Sequence, residues 1–481
     1  MNEEPVMTTD STQPNHSTPP ESTSEPGSVV APSLRLVTIG LLASVGIIAF
    51  DGLGVTTALP RIASELGGLS TYGWAISALM LASVIGTVVA GAVADRRGPR
   101  APYLTGLIVF AAGLVISAVA AQWPVFLLGR IVQGLGMGAI MSMAYVAVAI
   151  VYPPVLQARA LALLSGAWTV PSLIGPLISS VLAEAASWRI LFYALIPLVV
   201  IAGLVTLRGL PAPQAAAAAE PSRARGGVSR QLVFSIGLAV SAAIVLAGLE
   251  QQQNLPLLLG MVVVGGIVMI LTLRQVTPAG TLTARRGVPA GIATRAILCA
   301  AFFGIETFLP LAMTELRGAS LTTAGLGIAA GAFVWVGGSM YQSRHEERRG
   351  TSTRRADSVL GLLILAAGIT IITVTVLSTV ILVFVAIIGW IIGGFGMGLA
   401  YNASTAETFS ETEPEAIGQM SGTIQMAQTL GTAIIAGVGT AILSALQRAG
   451  ESPTAGIGTL FALTIAFALA AIPLALRIRR R

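Results

Sequence analysis

From residue 34 onward the chain alternates long apolar runs with short polar breaks. The runs lie at about 35–57, 72–94, 101–121, 124–150, 158–183 and 189–208. Two shorter ones follow at about 231–249 and 256–274, and then six more at about 289–313, 321–341, 356–377, 380–405, 415–445 and 456–477. Each approaches or exceeds the roughly 20 residues that carry an α-helix across a bilayer. The pattern therefore predicts fourteen spans, six plus two plus six. Residues 1–33 are rich in Ser, Thr, Pro and Glu and read as a disordered cytoplasmic tail. That stretch also lacks the basic start and short apolar core of a signal peptide. The remaining divisions are an N-terminal bundle over 34–210, a cytoplasmic linker over 211–230, an extra helix pair over 231–275 and a C-terminal bundle over 276–481.

The arginines test this topology independently. With the N-terminus inside, 22 of them fall in cytoplasmic segments, Arg295 among these, and four fall outside, at Arg61, Arg189, Arg317 and Arg448. Arg130 alone is assigned to a span. That asymmetry obeys the positive-inside rule and predicts that both termini face the cytoplasm. Removing one of the two middle spans would invert the second half and destroy the pattern. A faint repeat points the same way. Leu59-Pro60 and Arg96 in the first half reappear as Leu309-Pro310 and Arg344 about 250 residues later, as expected of transporter halves built from repeats.

Composition narrows the chemistry. The hydrophobic fraction is 54%, only 10% of residues are charged, and the mean hydropathy is +0.84; soluble proteins carry about 25% charge. All 27 basic residues are arginine. Without lysine the chain can form neither a P-loop nor a Schiff base, so a transporter is expected rather than an enzyme. The single Cys299 excludes an internal disulfide and a thiolate metal cluster. No metal or cofactor is expected, and the net charge of +6 is read as membrane orientation rather than nucleic-acid binding. His16 and His345 fall in polar segments, so a buried proton carrier would have to be a carboxylate.

Three ionisable residues stand out within the runs: Asp51, Arg130 and Glu306. Charge inside a bilayer is expensive and usually functional. Asp51 and Glu306 each lie more than halfway along their helices, and are expected to couple transport to protons, while Arg130 keeps its charge. Tyr145, Trp168, Phe302, Trp335, Trp390, Asn402 and Gln425 are the candidate cavity residues, because pockets for lipophilic ligands pair aromatic faces with a few polar groups. The cluster Glu407, Glu411, Glu413 and Glu415 reads as a solvated linker, and Glu250 as an exposed tip of the extra helix pair, which is expected to stand outside the transport path.

Gly91, Asp95, Arg96, Gly98 and Arg100 punctuate the turn between the second and third spans. There Gly91 would allow close helix approach and Gly98 a tight turn. This stretch resembles the loop signature of the major facilitator superfamily, specifically its drug:proton antiporters with fourteen spans, with Pro99 where a basic residue is usual. The run from Arg130 through Gln133 and Gly134 to Gly138 looks like the helix-four motif. DGLGVTTALP, from Asp51 to Pro60, is similar to the helix-one motif, and Gly175-Pro176 sits where the helix-five antiporter motif belongs. The resemblance implies an all-α membrane fold of two six-helix bundles plus two central helices. It also implies a gating role for the loop, a link between Arg130 and proton transfer, and export of lipophilic molecules or drugs against protons. The expected setting is a bacterial plasma membrane, with the protein a monomer and a cause of drug resistance. Export of a lipid or glycolipid and proton-symport uptake of a small solute are the alternatives, the latter disfavoured by the scarcity of buried Asn, Gln and Arg.

Overall fold

The computed structural model of the chain describes residues 28–210, 225–413 and 417–479. Most of the N-terminal tail, residues 211–224 of the linker, and Glu415 lie outside the described residues. The first seven helices are α1 (Arg35–Leu66), α2 (Trp74–Arg97), α3 (Arg100–Ala118), α4 (Trp123–Val151), α5 (Pro154–Gly166), α6 (Thr169–Ala185) and α7 (Arg189–Gly209). The extra pair is α8 (Arg225–Leu249) and α9 (Leu255–Val276). The last six are α10 (Val288–Leu311), α11 (Leu321–Arg349), α12 (Arg354–Leu377), α13 (Phe384–Ser410), α14 (Ile417–Arg448) and α15 (Pro453–Ala475). Thirteen of these are long and apolar enough to cross a membrane. The fourteenth crossing, the fifth in chain order, is shared by α5 and α6. It breaks at Ala167 and Trp168 because the ring of Pro171 opposes the carbonyl four residues earlier.

Helix ends follow local chemistry. Ser320 and Ser452 cap α11 and α15 by accepting from the main-chain N–H of Thr323 and Ala455. Gly67 closes α1 in the left-handed region, at φ 74°. α1 runs nine residues past the sequence-based boundary and passes through Pro60, which spanning helices tolerate when neighbours satisfy the freed backbone.

Helices α1–α7 pack into one bundle and α10–α15 into the other, and α8 lies against both α2 and α14. The repeat is visible in detail. α2 ends at Gly98 (φ 75°, ψ 171°) and α11 ends at Gly350 (φ 82°, ψ 175°), so the corresponding turns of the two halves share one backbone geometry. Small residues set the tightest packing in both halves: Gly113 of α3 faces Gly129 of α4, and Gly368 of α12 faces Gly389 and Gly393 of α13.

One face of the molecule, termed here the terminal face, carries both described chain ends and the turns at Gly98 and Gly350. The hydrogen bonds that join the bundles cluster toward the opposite face. Tyr72 Oη donates to the Thr307 carbonyl at 3.1 Å, the Gly73 N–H to Thr440 Oγ1 at 2.7 Å, and Ser77 Oγ to the Ala433 carbonyl at 2.7 Å. Ser444 Oγ donates to the Ser70 carbonyl at 2.6 Å. Across the other seam, between α6 and α11, Thr322 Oγ1 donates to Glu184 at 2.5 Å.

A candidate proton and cargo site

Asp51 of α1 and Arg130 of α4 meet in the middle of the first bundle. Arg130 Nη1 donates to Asp51 Oδ2 at 2.9 Å, with the two side chains 0% and 1% exposed. Gln133, one helical turn beyond Arg130, closes the ring. Its Nε2 donates to Asp51 Oδ1 at 3.1 Å, and its Oε1 accepts from Arg130 Nη1 at 3.1 Å and from Ser117 Oγ at 3.1 Å. Arg130 Nε donates to the Ala75 carbonyl of α2 at 3.3 Å, tying the cluster to the helix that lines the seam between bundles. Four helices of the bundle, α1 to α4, thus converge on one charge-matched network. Gln133 was visible in the sequence only as part of the motif run, and its role as the carboxylate's second partner comes from the fold.

Glu306 is arranged differently. It is 8% exposed on α10, and no ion-pair or hydrogen-bond partner contacts its carboxyl among the described residues. The next residue is Thr307, whose carbonyl receives Tyr72 from the first bundle. The side chain therefore sits beside the contact that holds the seam closed.

The sequence-based assignment of Arg295 is corrected. It is not in a cytoplasmic segment but two turns inside α10, 2% exposed, so Arg130 is not the only arginine buried in a span. The first turns of α10 belong to the crossing, and a count that treated them as its edge missed the residue.

The aromatic candidates divide. Phe302 and Trp390 are fully buried and stack at 4.6 Å, and Phe302 meets Trp335 edge-on at 5.0 Å. They form the packed wall of the second bundle rather than an open surface. Trp335 is half-buried and meets Tyr401 at 5.4 Å. Tyr145 of α4 is 44% exposed and stands within electrostatic reach of Tyr401 of α13, one ring from each bundle. Trp168, at the break before α6, is also exposed. Asn402 donates to the Ser339 carbonyl at 3.5 Å, and Gln425 is exposed on α14.

Gly98, expected at a tight turn, has a positive φ of 75°. Gly91 does not serve close approach: a Cβ built there meets nothing within 4 Å. The side chains of Asp95 and Arg96 lie outside the described residues, while Arg100 is exposed at the head of α3. A Cβ at Gly175 would rest against Phe50, and one at Gly325 of the second bundle would strike the Pro176 carbonyl, so the helix-five motif lies on the α6–α11 seam.

Two acidic readings change. Glu407 is not in a solvated linker but 6% exposed on α13, 3.9 Å from Arg354, which also pairs with Glu346. Glu250 is not an exposed tip. It is half-buried where α8 meets the seam, its carboxyl bonded to Trp74 and its carbonyl accepting from Arg448 at 3.2 Å. An apolar groove of about 370 Å³ between α1, α6 and α7, lined by Ile39, Phe50, Ile174 and Leu198 among others, holds no titratable residue and is separate from this chemistry.

Comparison with known proteins agrees with this architecture. The chain is 26% identical over 406 residues to the multidrug transporter protein MdtP of Bacillus subtilis (strain 168), covering 82% of this chain and 73% of that one. It is 23% identical over 405 residues to the multidrug efflux pump SdrM of Staphylococcus aureus (strain N315), covering 83% and 87%. Among solved structures, the POT family transporter PepTSo superimposes with a TM-score of 0.67 at 15% identity, covering 92% of this chain and 97% of that one. The xylose transporter XylE from E. coli does so with 0.61 at 14%, covering 93% and 100%. These structural likenesses establish the fold alone. A profile of the Major Facilitator Superfamily matches residues 41–436, and with two bundles of apolar helices and an extra helix pair the chain belongs to that superfamily of multi-pass membrane transporters, which are not enzymes.

Proposed function

We propose that the protein is a proton-driven antiporter that exports lipophilic small molecules from the cytoplasm across a bacterial plasma membrane, working as a monomer. The multidrug names of its relatives support the cargo class. The arginine asymmetry supports a cytoplasmic terminal face with both termini inside. In that placement the seams closed at the opposite face correspond to a state shut toward the outside. The working units are 34–210 and 276–481, joined through 211–230 and the pair in 231–275.

The observation that carries the proposal is Glu306. A buried carboxylate with no partner bears a solvation cost of several kcal/mol, and binding a proton removes it. In the proposed cycle the proton binds at Glu306 from outside, cargo leaves, and the proton is released inward as new cargo enters between the bundles. Glu306 adjoins the Tyr72–Thr307 contact, so its charge state and the seam influence one another. The Asp51–Arg130–Gln133 network is a second coupling point, broken and remade as the bundles rock. Gly91, Asp95, Arg96, Gly98 and Arg100 belong to the turn that holds the terminal face when it closes. One proton crossing ~100 mV supplies about 2.3 kcal/mol, enough for a cargo gradient of roughly 50-fold.

The test is accumulation of fluorescent lipophilic probes, one cationic, one neutral and one anionic, in cells with and without the protein. Lower accumulation of at least one that a protonophore restores is the expected result; equal accumulation of all three in both cells would remove the export reading. Lipid export has one observation in its favour, the apolar groove on the flank of the first bundle. Movement of a labelled phospholipid in vesicles holding the protein would select it.

A further inference from the structure

The buried guanidinium of Arg295 has no counter-charge, unlike that of Arg130. Its Nη2 donates to Thr405 Oγ1, and its plane lies 3.4 Å from the centroid of the Tyr401 ring. Its Nη1 is buried without any acceptor, and no carboxylate pairs with it among the described residues. Retaining an unmatched charge there costs several kcal/mol. Its polar neighbours Thr405, Cys299 and Tyr401 are all neutral, and the thiol is a weak acceptor.

The neighbours of this cation are aromatic. From Arg295 the rings run in contact through Tyr401, Trp335 and Phe302, at centroid separations of 5.4 Å and 5.0 Å. Tyr401 is half-buried, anchored by its hydroxyl to Gln428 Oε1 at 3.0 Å, and lies opposite Tyr145 of the other bundle. Its ring thus stacks on the guanidinium and faces the other bundle's Tyr145. Arg295, Cys299, Phe302 and Glu306 are spaced at 0, 4, 7 and 11 residues, so they share one face of α10. The guanidinium and the free carboxyl are therefore about 16 Å apart along the helix, by its rise per residue.

We infer that Arg295 is the anion-binding end of the cargo site, taking the carboxylate or another acidic group of an aromatic acid. The acid's rings lie along Tyr401 and Trp335. A charged acceptor supplies what Nη1 lacks, and a planar guanidinium binds a carboxylate with two donors where an ammonium supplies a point charge. A flat acid fits because the stem of the site is a row of ring faces and edges. This rests on the transport reading above for its biological use, but its test does not.

The test is equilibrium binding to the purified full chain in lipid nanodiscs, with no proton gradient, using 9-anthracenecarboxylate and its methyl ester as probes. Wild type is expected to bind the acid at least tenfold more tightly than the ester. Arg295→Met should weaken the acid at least tenfold, about 1.4 kcal/mol, and the ester less than twofold. Arg295→Lys should recover part of the preference for the acid. Equal binding of acid and ester by wild type overturns the assignment without any variant. Parallel losses for both probes in a folded Arg295→Met protein would also overturn it, by making Arg295 a packing residue. If instead the acid preference depends on Arg295 but cells show no gradient-dependent export, the site stands and the exporter reading fails.

Discussion

The two bundles share a backbone plan but handle the charges of α1, α4 and α10 in opposite ways. In the first, Asp51 and Arg130 come from different helices and meet at 2.9 Å, with Gln133 satisfying the second carboxylate oxygen. In the second, Arg295 and Glu306 lie on the same helix face and are kept apart, each without an opposite charge. A matched pair resists change, because removing one partner strands the other. A separated pair leaves each group available to something that arrives and leaves. In the proposed mechanism the first bundle is a latch and the second the exchanging wall.

Breaking the latch should give the largest effect. Asp51→Asn leaves Arg130 buried with its charge unmatched and is expected to lower stability by about 3–5 kcal/mol, read as a shifted unfolding midpoint in mixed micelles. Adding Arg130→Met to it should recover much of that loss; a double variant no better than the single one would show that the pair is not the unit. The seam contact comes next. Tyr72→Phe removes one neutral hydrogen bond worth about 1 kcal/mol, and should shift the balance of the two faces about fivefold. Spin or dye labels placed across Ser70 and Ser444 would report it, in a background where Cys299, the single and buried cysteine, is replaced. An unchanged distance distribution would separate Tyr72 from gating. The smallest effect on stability is expected at Glu306→Gln, within about 1 kcal/mol, because no partner is lost.

Most of the architecture was legible in the chain because lipid imposes a simple rule on length and polarity. Apolar runs of the right length and the arginine asymmetry together specify fourteen crossings in a fixed order. Asp51, Arg130 and Glu306 stood out for the same reason, as charges where charge is costly. What escaped was pairing. Nothing in the one-dimensional pattern tells that Asp51 has two partners and Glu306 none, since partners come from helices 79 to 82 residues away. Arg295 escaped through the edge of its span, and Glu250 and Glu407 because polar runs look solvated until a neighbouring helix covers them. The packed Phe302–Trp390 stack was likewise indistinguishable from a cavity lining, as both are aromatic residues on spanning helices.

The proposed exchange of the transported proton at Glu306 is read by proton release from the purified protein in weakly buffered detergent on addition of a transported cargo. Wild type is predicted to release protons as cargo binds, and Glu306→Gln, with cargo affinity retained, to release none. Release of the same size from that variant would rule out Glu306 as the exchanging group.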